Sequence, residues 1–317
     1  MSGTRLAFVF PGQGSQSVGM LADLAQQHAL IVETFAEASE GARLDLWRLA
    51  SEGPEAQLNQ TEFTQPALLA ADVAVWRLWL ALGGARPVVL AGHSLGEYAA
   101  LVAAGALSLA DGAALVRERG RLMQAAVPAG VGAMAAVIGA EDALVKEVCE
   151  RASEQEIVCP ANYNAPGQVV IGGNAGAVDR ALAMLVERGV RKSVRLPVSV
   201  PSHTPLMRES GNRLADAIAQ VDWSEPTIPV VQNVDAEIHE SVAAIRDALV
   251  RQIYLPVYWT TTVQSLTGHG VTALGECGPG KVLTGLAKRI DRSLDARSLA
   301  SPDDLAAALA DWRESGA

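Results

Sequence analysis

The sequence predicts an α/β fold: a large domain around a mostly parallel sheet, with a smaller domain inserted into it. Three observations predict it. Strand-like and helix-like runs alternate through most of the 317 residues. The outer strand-like runs, such as Leu6 to Phe10 and Pro87 to Ala91, are short and apolar, as in strands covered on both faces. The middle of the chain instead reads strand, helix, strand, strand, helix, strand.

Each element follows from local chemistry. The strand Leu6 to Phe10 runs into the loop Pro11 to Gln16. A helix is expected from Thr64 to Gly83, with Pro66 in its first turn, where a missing N–H costs nothing. The strand Pro87 to Ala91 leads through Gly92-His93-Ser94-Leu95-Gly96 into a helix over Glu97 to Ala104. In the middle, Met134 to Ile138, Ile157 to Asn162, Gln168 to Ile171 and Arg191 to Pro197 read as strands. Glu141 to Ala152 and Ala177 to Glu187 read as helices, and Asn164 to Gly167 as a turn. That order is ferredoxin-like. Hinge-like stretches at Gly130 to Gly132 and Pro197 to Pro201 bound it. The small domain is therefore placed at 130–198, and the large domain at 1–129 and 199–317. Short strands resume at Ile228 to Val231, Val271 to Leu274 and Ala296 to Leu299. A cleft between two such domains is a usual ligand site.

Composition narrows the function. Half the residues are hydrophobic and 19% charged, so a packed core is expected. A net charge of -10 argues against a nucleic-acid binder. Cys149, Cys159 and Cys277 lack metal-ligand spacing and read as buried free thiols of a reducing compartment. No secretory signal or membrane span is apparent, so a cytoplasmic location is expected.

Gly92 to Gly96 fits G-x-S-x-G between an apolar strand and a helix, a nucleophile elbow of α/β-hydrolase-like type. The sharp turn lifts the Ser94 hydroxyl clear of the sheet, and the Leu95 N–H faces any oxyanion formed there. A serine nucleophile needs a base. Of five histidines, His93 is adjacent and points away, while His28, His239 and His269 read as exposed or loop residues. His203, in Val200-Pro201-Ser202-His203-Thr204-Pro205, leaves the small domain at the cleft and is the candidate base. No acid stands near it, so a backbone or amide carbonyl is expected to orient the ring. The loop after the first strand lacks the third glycine and the acid of a dinucleotide site, and reads as a second oxyanion donor. Arg117 and Arg119 lie on one helix, facing different sides; composition alone makes either a solvated charge.

Together these motifs resemble the malonyl-CoA:acyl carrier protein transacylase family of bacterial fatty-acid synthesis. FPGQGSQ (Phe10 to Gln16), GHSLGE (Gly92 to Glu97), VSVPSH (Val198 to His203), IRDALVRQIY (Ile245 to Tyr254) and GPGKVL (Gly278 to Leu283) carry the resemblance, which spans essentially the whole chain. It implies Ser94 as nucleophile and His203 as base, with Gln13 and Leu95 as oxyanion donors. It further implies that Arg119 pairs with the malonyl carboxylate, which leaves Arg117 at the surface. Gln252 steadies the histidine through a carbonyl, and Asn162 lines the cleft. The implied reaction is ping-pong transfer of malonyl from malonyl-CoA to the phosphopantetheine thiol of holo-acyl carrier protein, with no metal or redox cofactor. Carrier proteins of this kind are acidic, as is this chain, so a basic docking patch is expected at Lys288 and Arg289. Ser202 before His203 is small and leaves room for a branched acyl group such as methylmalonyl.

Three rival readings stand beside this one. A thioesterase or lipase-like hydrolase would carry an acid between serine and histidine in chain order, and an HGGG-type loop. A carrier-binding scaffold would not need Ser94, His203 and Arg119. The same chemistry could serve polyketide or malonate metabolism; a chain starting at Met1 without module linkers favours a free-standing enzyme.

Overall fold

A computed structural model describes residues 4–128, 130–198 and 200–312. In chain order the strands are β1 (Leu6–Phe10), β2 (Val89–Gly92), β3 (Gly132–Ile138), β4 (Val158–Ala165), β5 (Gln168–Asn174), β6 (Lys192–Arg195), β7 (Val230–Val231), β8 (Ala273–Glu276) and β9 (Asp295–Ser298). One sheet has the order β7-β2-β1-β8-β9, with all its pairings parallel. A second, antiparallel sheet has the order β4-β5-β3-β6.

β1, β2 and β7 of the parallel sheet are buried and apolar throughout, as expected of strands covered on both faces, while the edge strand β9 is polar and partly exposed. On β1, Leu6, Phe8 and Phe10 enter one core cluster while Ala7 and Val9 enter another. Phe8 meets Trp76 and Trp79 edge-on at 5.5 and 5.2 Å. Those tryptophans belong to the helix Thr61–Ala81, which packs with Ala29–Ala42 and Leu109–Ala125. Trp259 and Val263 of the helix Trp259–Gly268, and Leu283 and Leu286 of Val282–Ile290, cover the other face. Among the described residues, no helix is long and apolar enough to cross a membrane.

Several expected boundaries move. The long helix starts at Thr61, not Thr64, so Pro66 lies inside it rather than in its first turn. The Thr64 hydroxyl donates to the carbonyls of Leu58 and Gln60, which draws the preceding turn into the helix. There Pro66 leaves the Glu62 carbonyl without its helical donor, at a cost of about 3 kcal/mol. The turn after β4 is shorter than expected, because Ala165 still pairs with Gln168. The expected boundary residues Ala129 and Ser199 lie outside the described residues.

The antiparallel sheet is tied along a main-chain seam from β4 to the segment that leads into the helix Trp259–Gly268. The Tyr163 N–H donates to the Val257 carbonyl and the Val257 N–H to the Ala161 carbonyl, both at 2.9 Å. One edge of the cleft is therefore fixed by main-chain bonds, with Asn162 at the seam.

Candidate active site

Parallel register sets β1 and β2 side by side, with Phe10 opposite Gly92. The loop after β1 and the turn after β2 therefore open at one place, the carboxyl end of the sheet. Ser94 sits at the turn with φ 54°, in the left-handed region. The flanking glycines make that turn possible. A Cβ on Gly92 would lie 1.9 Å from the Gly96 main chain, and one on Gly96 would lie 1.9 Å from the Phe10 carbonyl oxygen. The helix Gly96–Ala103 follows at once.

His203 is brought to the serine from far along the chain: Ser94 Oγ and His203 Nε2 are 2.7 Å apart. His203 Nδ1 lies 2.7 Å from the main-chain oxygen of Gln252. A carbonyl only accepts, so Nδ1 carries the proton and Nε2 presents its lone pair to the hydroxyl. Burial, then the neighbouring Arg119 charge, pulls the His203 pKa down to about 3. The ring is thus neutral at ordinary pH and suited to take a proton from Ser94.

Arg119 is 1% exposed, contrary to the solvated charge that composition suggests. Its Nη1 donates to Gln65 Oε1 at 2.8 Å, and its Nη2 to Gln252 Oε1 at 2.9 Å and to Ser94 Oγ at 3.2 Å. Its Nε has no hydrogen-bond partner among the described residues. Burial lowers its pKa, opposed by Tyr98 and Glu97. A buried guanidinium beside a hydroxyl, with a donor to spare, is suited to an anionic group on an acyl chain. Arg117 is half-buried and pairs with Glu62 at 3.0 Å.

Gln13 and Leu95 both line a cleft of about 320 Å3 together with Ser94, Arg119, His203 and Asn162. Within the chain, no hydrogen bond takes the main-chain N–H of Gln13 or Leu95 among the described residues. The Gln13 side chain reaches Thr61 Oγ1 at 3.5 Å. His93 points away from the hydroxyl, with its Nε2 2.8 Å from Asn164 Oδ1. His239, expected to be exposed, is half-buried because it pairs with Asp235 at 3.1 Å. His28 is also half-buried, and His269 is exposed. Lys288 and Arg289 are exposed on the helix Val282–Ile290, and Arg289 donates to Gln168 Oε1 at 2.7 Å. Val282, Leu283 and Leu286 of that helix line the cleft, but Lys288 and Arg289 do not.

Sequence reasoning missed Gln65, Asn164 and Asn233. Gln65 and Asn164 line the cleft, and Asn233 Oδ1 accepts from the Ser94 N–H at 2.7 Å. They come from separate elements, so no local motif marks them. Among the described residues, no three His, Cys, Asp or Glu side chains are grouped to hold a metal. Cys149 and Cys277 are buried and Cys159 half-buried; burial pushes the first up to about 12 and Cys159 up to about 11. None is poised as a thiolate.

The acyl transferase domain family model matches residues 7–295. The chain is 53% identical over 306 residues to the malonyl CoA-acyl carrier protein transacylase of Salmonella typhimurium, covering 96% of this chain and 99% of that one. The Bacillus subtilis protein of the same name is 40% identical, with 98% of each chain covered. Among solved structures, the malonyl-CoA:acyl carrier protein transacylase of Xanthomonas oryzae pv. oryzae superposes with a TM-score of 0.97. It is 68% identical, with 99% of this chain and 100% of that chain covered. A malonyl-transacylase in complex with its type II PKS acyl-carrier protein superposes with a TM-score of 0.95 at 49% identity, covering 97% and 99%.

Proposed function

The chain belongs to the acyl transferase domain family, and from that premise we propose that it transfers malonyl from malonyl-CoA to the phosphopantetheine thiol of holo-acyl carrier protein. This supplies extender units for fatty-acid synthesis. One observation carries the reading: Ser94 Oγ lies 2.7 Å from a neutral imidazole nitrogen and 3.2 Å from a buried guanidinium. The names of relatives over nearly the full chain support malonyl and carrier protein as the substrates.

The chemistry runs through a malonyl-Ser94 ester. His203 Nε2 takes the Ser94 proton as Oγ attacks the thioester carbon. The oxyanion rests on the N–H groups of Gln13 and Leu95. As the C–S bond breaks, the imidazolium returns its proton to the coenzyme A sulfur. The malonyl carboxylate rests on Arg119. The carrier thiol then gives its proton to His203 and attacks the ester, and Ser94 recovers the proton as it leaves. No metal or redox cofactor takes part.

We read residues 130–198 as an inserted ferredoxin-like domain and 1–129 with 199–317 as the α/β-hydrolase-like catalytic domain; the two sheets and the strand order β4-β5-β3-β6 support this. The small domain shields the ester from water. The site is cytoplasmic. Lys288 and Arg289 meet the acidic carrier, and Ser202 leaves room for a methylmalonyl branch. A type II polyketide carrier is the second reading, favoured by the relative solved with such a partner.

Steady-state rates with malonyl-CoA and holo-acyl carrier protein varied together test the route. Parallel double-reciprocal lines are expected; intersecting lines would mean that both substrates bind before transfer.

A further inference from the structure

The pairing of β2 with β7 stops at Ala91 and Val231. Beyond it, the Gly92 carbonyl at the end of β2 and the Ser94 N–H on the turn receive no rung from the β7 ladder. The Asn233 side chain takes both: its Nδ2 donates to the Gly92 oxygen at 2.6 Å, and its Oδ1 accepts from the Ser94 N–H at 2.7 Å. Asn233 is wholly buried. Its own N–H donates to Glu97 Oε2 at 2.8 Å, which also accepts from Gln252 Nε2 at 3.2 Å. That same Nε2 donates to the Ser94 carbonyl at 2.7 Å.

We propose that Asn233 is a positioning residue: its amide replaces the missing rung of the ladder and holds Ser94 in the left-handed conformation that aims Oγ at His203 Nε2. Glu97 ties this rung to Gln252, whose two oxygens serve His203 and Arg119. A left-handed non-glycine residue costs about 1–2 kcal/mol, so the conformation persists only where its surroundings dictate it. An apolar side chain at position 233 would leave the buried Gly92 carbonyl and the part-buried Ser94 N–H without this partner and free the turn to relax. The inference rests on the acyl-Ser94 reading.

The test measures malonyl loading of the intact enzyme by quench and mass, beside Asn233→Ala and Asn233→Asp, with melting temperatures. If the wild-type enzyme itself takes up no malonyl, the acyl-Ser94 reading fails rather than this one. With loading established, Asn233→Ala is expected to load about 100-fold more slowly, with KM for malonyl-CoA within about threefold. The aspartate variant separates positioning from mere folding. A carboxyl at 233 would be buried beside Glu97, which burial itself pushes up to about 8. Asp235 lies two residues on, already paired with His239 and Arg251. A protonated aspartic acid has the shape of asparagine: its O–H donates to Gly92 and its C=O accepts from Ser94. Because His203 stays neutral down to about 3, the wild-type base still works at mild acid pH. Asn233→Asp should therefore recover to within about tenfold of wild type at pH 5.5. Ala loading within threefold of wild type, or an Asp variant as slow as Ala at pH 5.5, would overturn the proposal.

Discussion

Replacing Arg119 by alanine should change which acyl group is loaded, not only how fast. The guanidinium Nη2 lies 3.2 Å from Ser94 Oγ, within reach of the carboxylate of a malonyl group on that oxygen. A charge-assisted hydrogen bond is worth about 1.5–3 kcal/mol, and a two-point grip about 3 kcal/mol or more. That is a hundredfold or more in loading of malonyl at about 1.4 kcal/mol per decade. Acetyl has no carboxylate and loses none of it. The variant also strips donors from Gln65 Oε1 and Gln252 Oε1, costing about 1–3 kcal/mol of stability for each acceptor left unpaired. This second effect lowers the melting temperature but falls on both substrates alike. The readout is therefore the ratio of single-turnover loading from malonyl-CoA and acetyl-CoA, normalised to folded protein. The ratio should drop about a hundredfold. Equal loss of both would refute the reasoning and make Arg119 a structural residue.

Other consequences are open to measurement. The acid limb of kcat/KM should lie well below pH 5, because burial and Arg119 pull His203 down to about 3; a limb near 6.5 would place a solvated histidine in the role. Asp72 is buried, with neither carboxylate oxygen hydrogen-bonded among the described residues, and burial followed by Glu276 raises its pKa well above the ordinary value. The folded chain then binds more protons than the unfolded one between those two pKa values, so Asp72 lowers stability as pH rises through that window. Asp72→Ala should accordingly gain melting temperature relative to wild type on going from pH 4.5 to 8; a difference independent of pH would contradict this. Gly96→Ala sets a Cβ 1.9 Å from the Phe10 oxygen and should cost about 1–3 kcal/mol or more, together with loading; an unchanged melting temperature would rule that out. Reversing the charges of Lys288 and Arg289 should slow discharge to carrier protein and flatten its salt dependence. Unchanged discharge would remove both residues from the docking surface.

What was legible in the sequence followed from local rules. The apolar strand, turn and helix around Ser94 are contiguous, so one short stretch carried strand, elbow and hydroxyl together. His203 could be singled out because the other histidines sit in polar, loop or adjacent positions. What local rules did not show, with Gln252 and Arg119 supplied only by the resemblance, depends on groups that leave no side-chain signal or lie far apart. The acceptor for His203 Nδ1 is the main-chain oxygen of Gln252, which any residue could supply. Arg119 looks like a surface charge until Gln65, Gln252 and Tyr98 are folded round it. Asn233 sits just past a two-residue strand, too short to be marked as the end of a ladder. Pro66 misplaced the start of the long helix because a proline rule for first turns does not see a Thr64 hydroxyl reaching back to Leu58.

The most direct test of an acyl-serine transferase is the intact mass of the chain after brief exposure to malonyl-CoA, beside Ser94→Ala. The account predicts a malonyl-sized adduct on the native chain, none on the variant, and discharge by holo-acyl carrier protein much faster than by water. An adduct cleared as fast by water alone would make the enzyme a hydrolase, and an equal adduct on Ser94→Ala would remove Ser94 as the nucleophile.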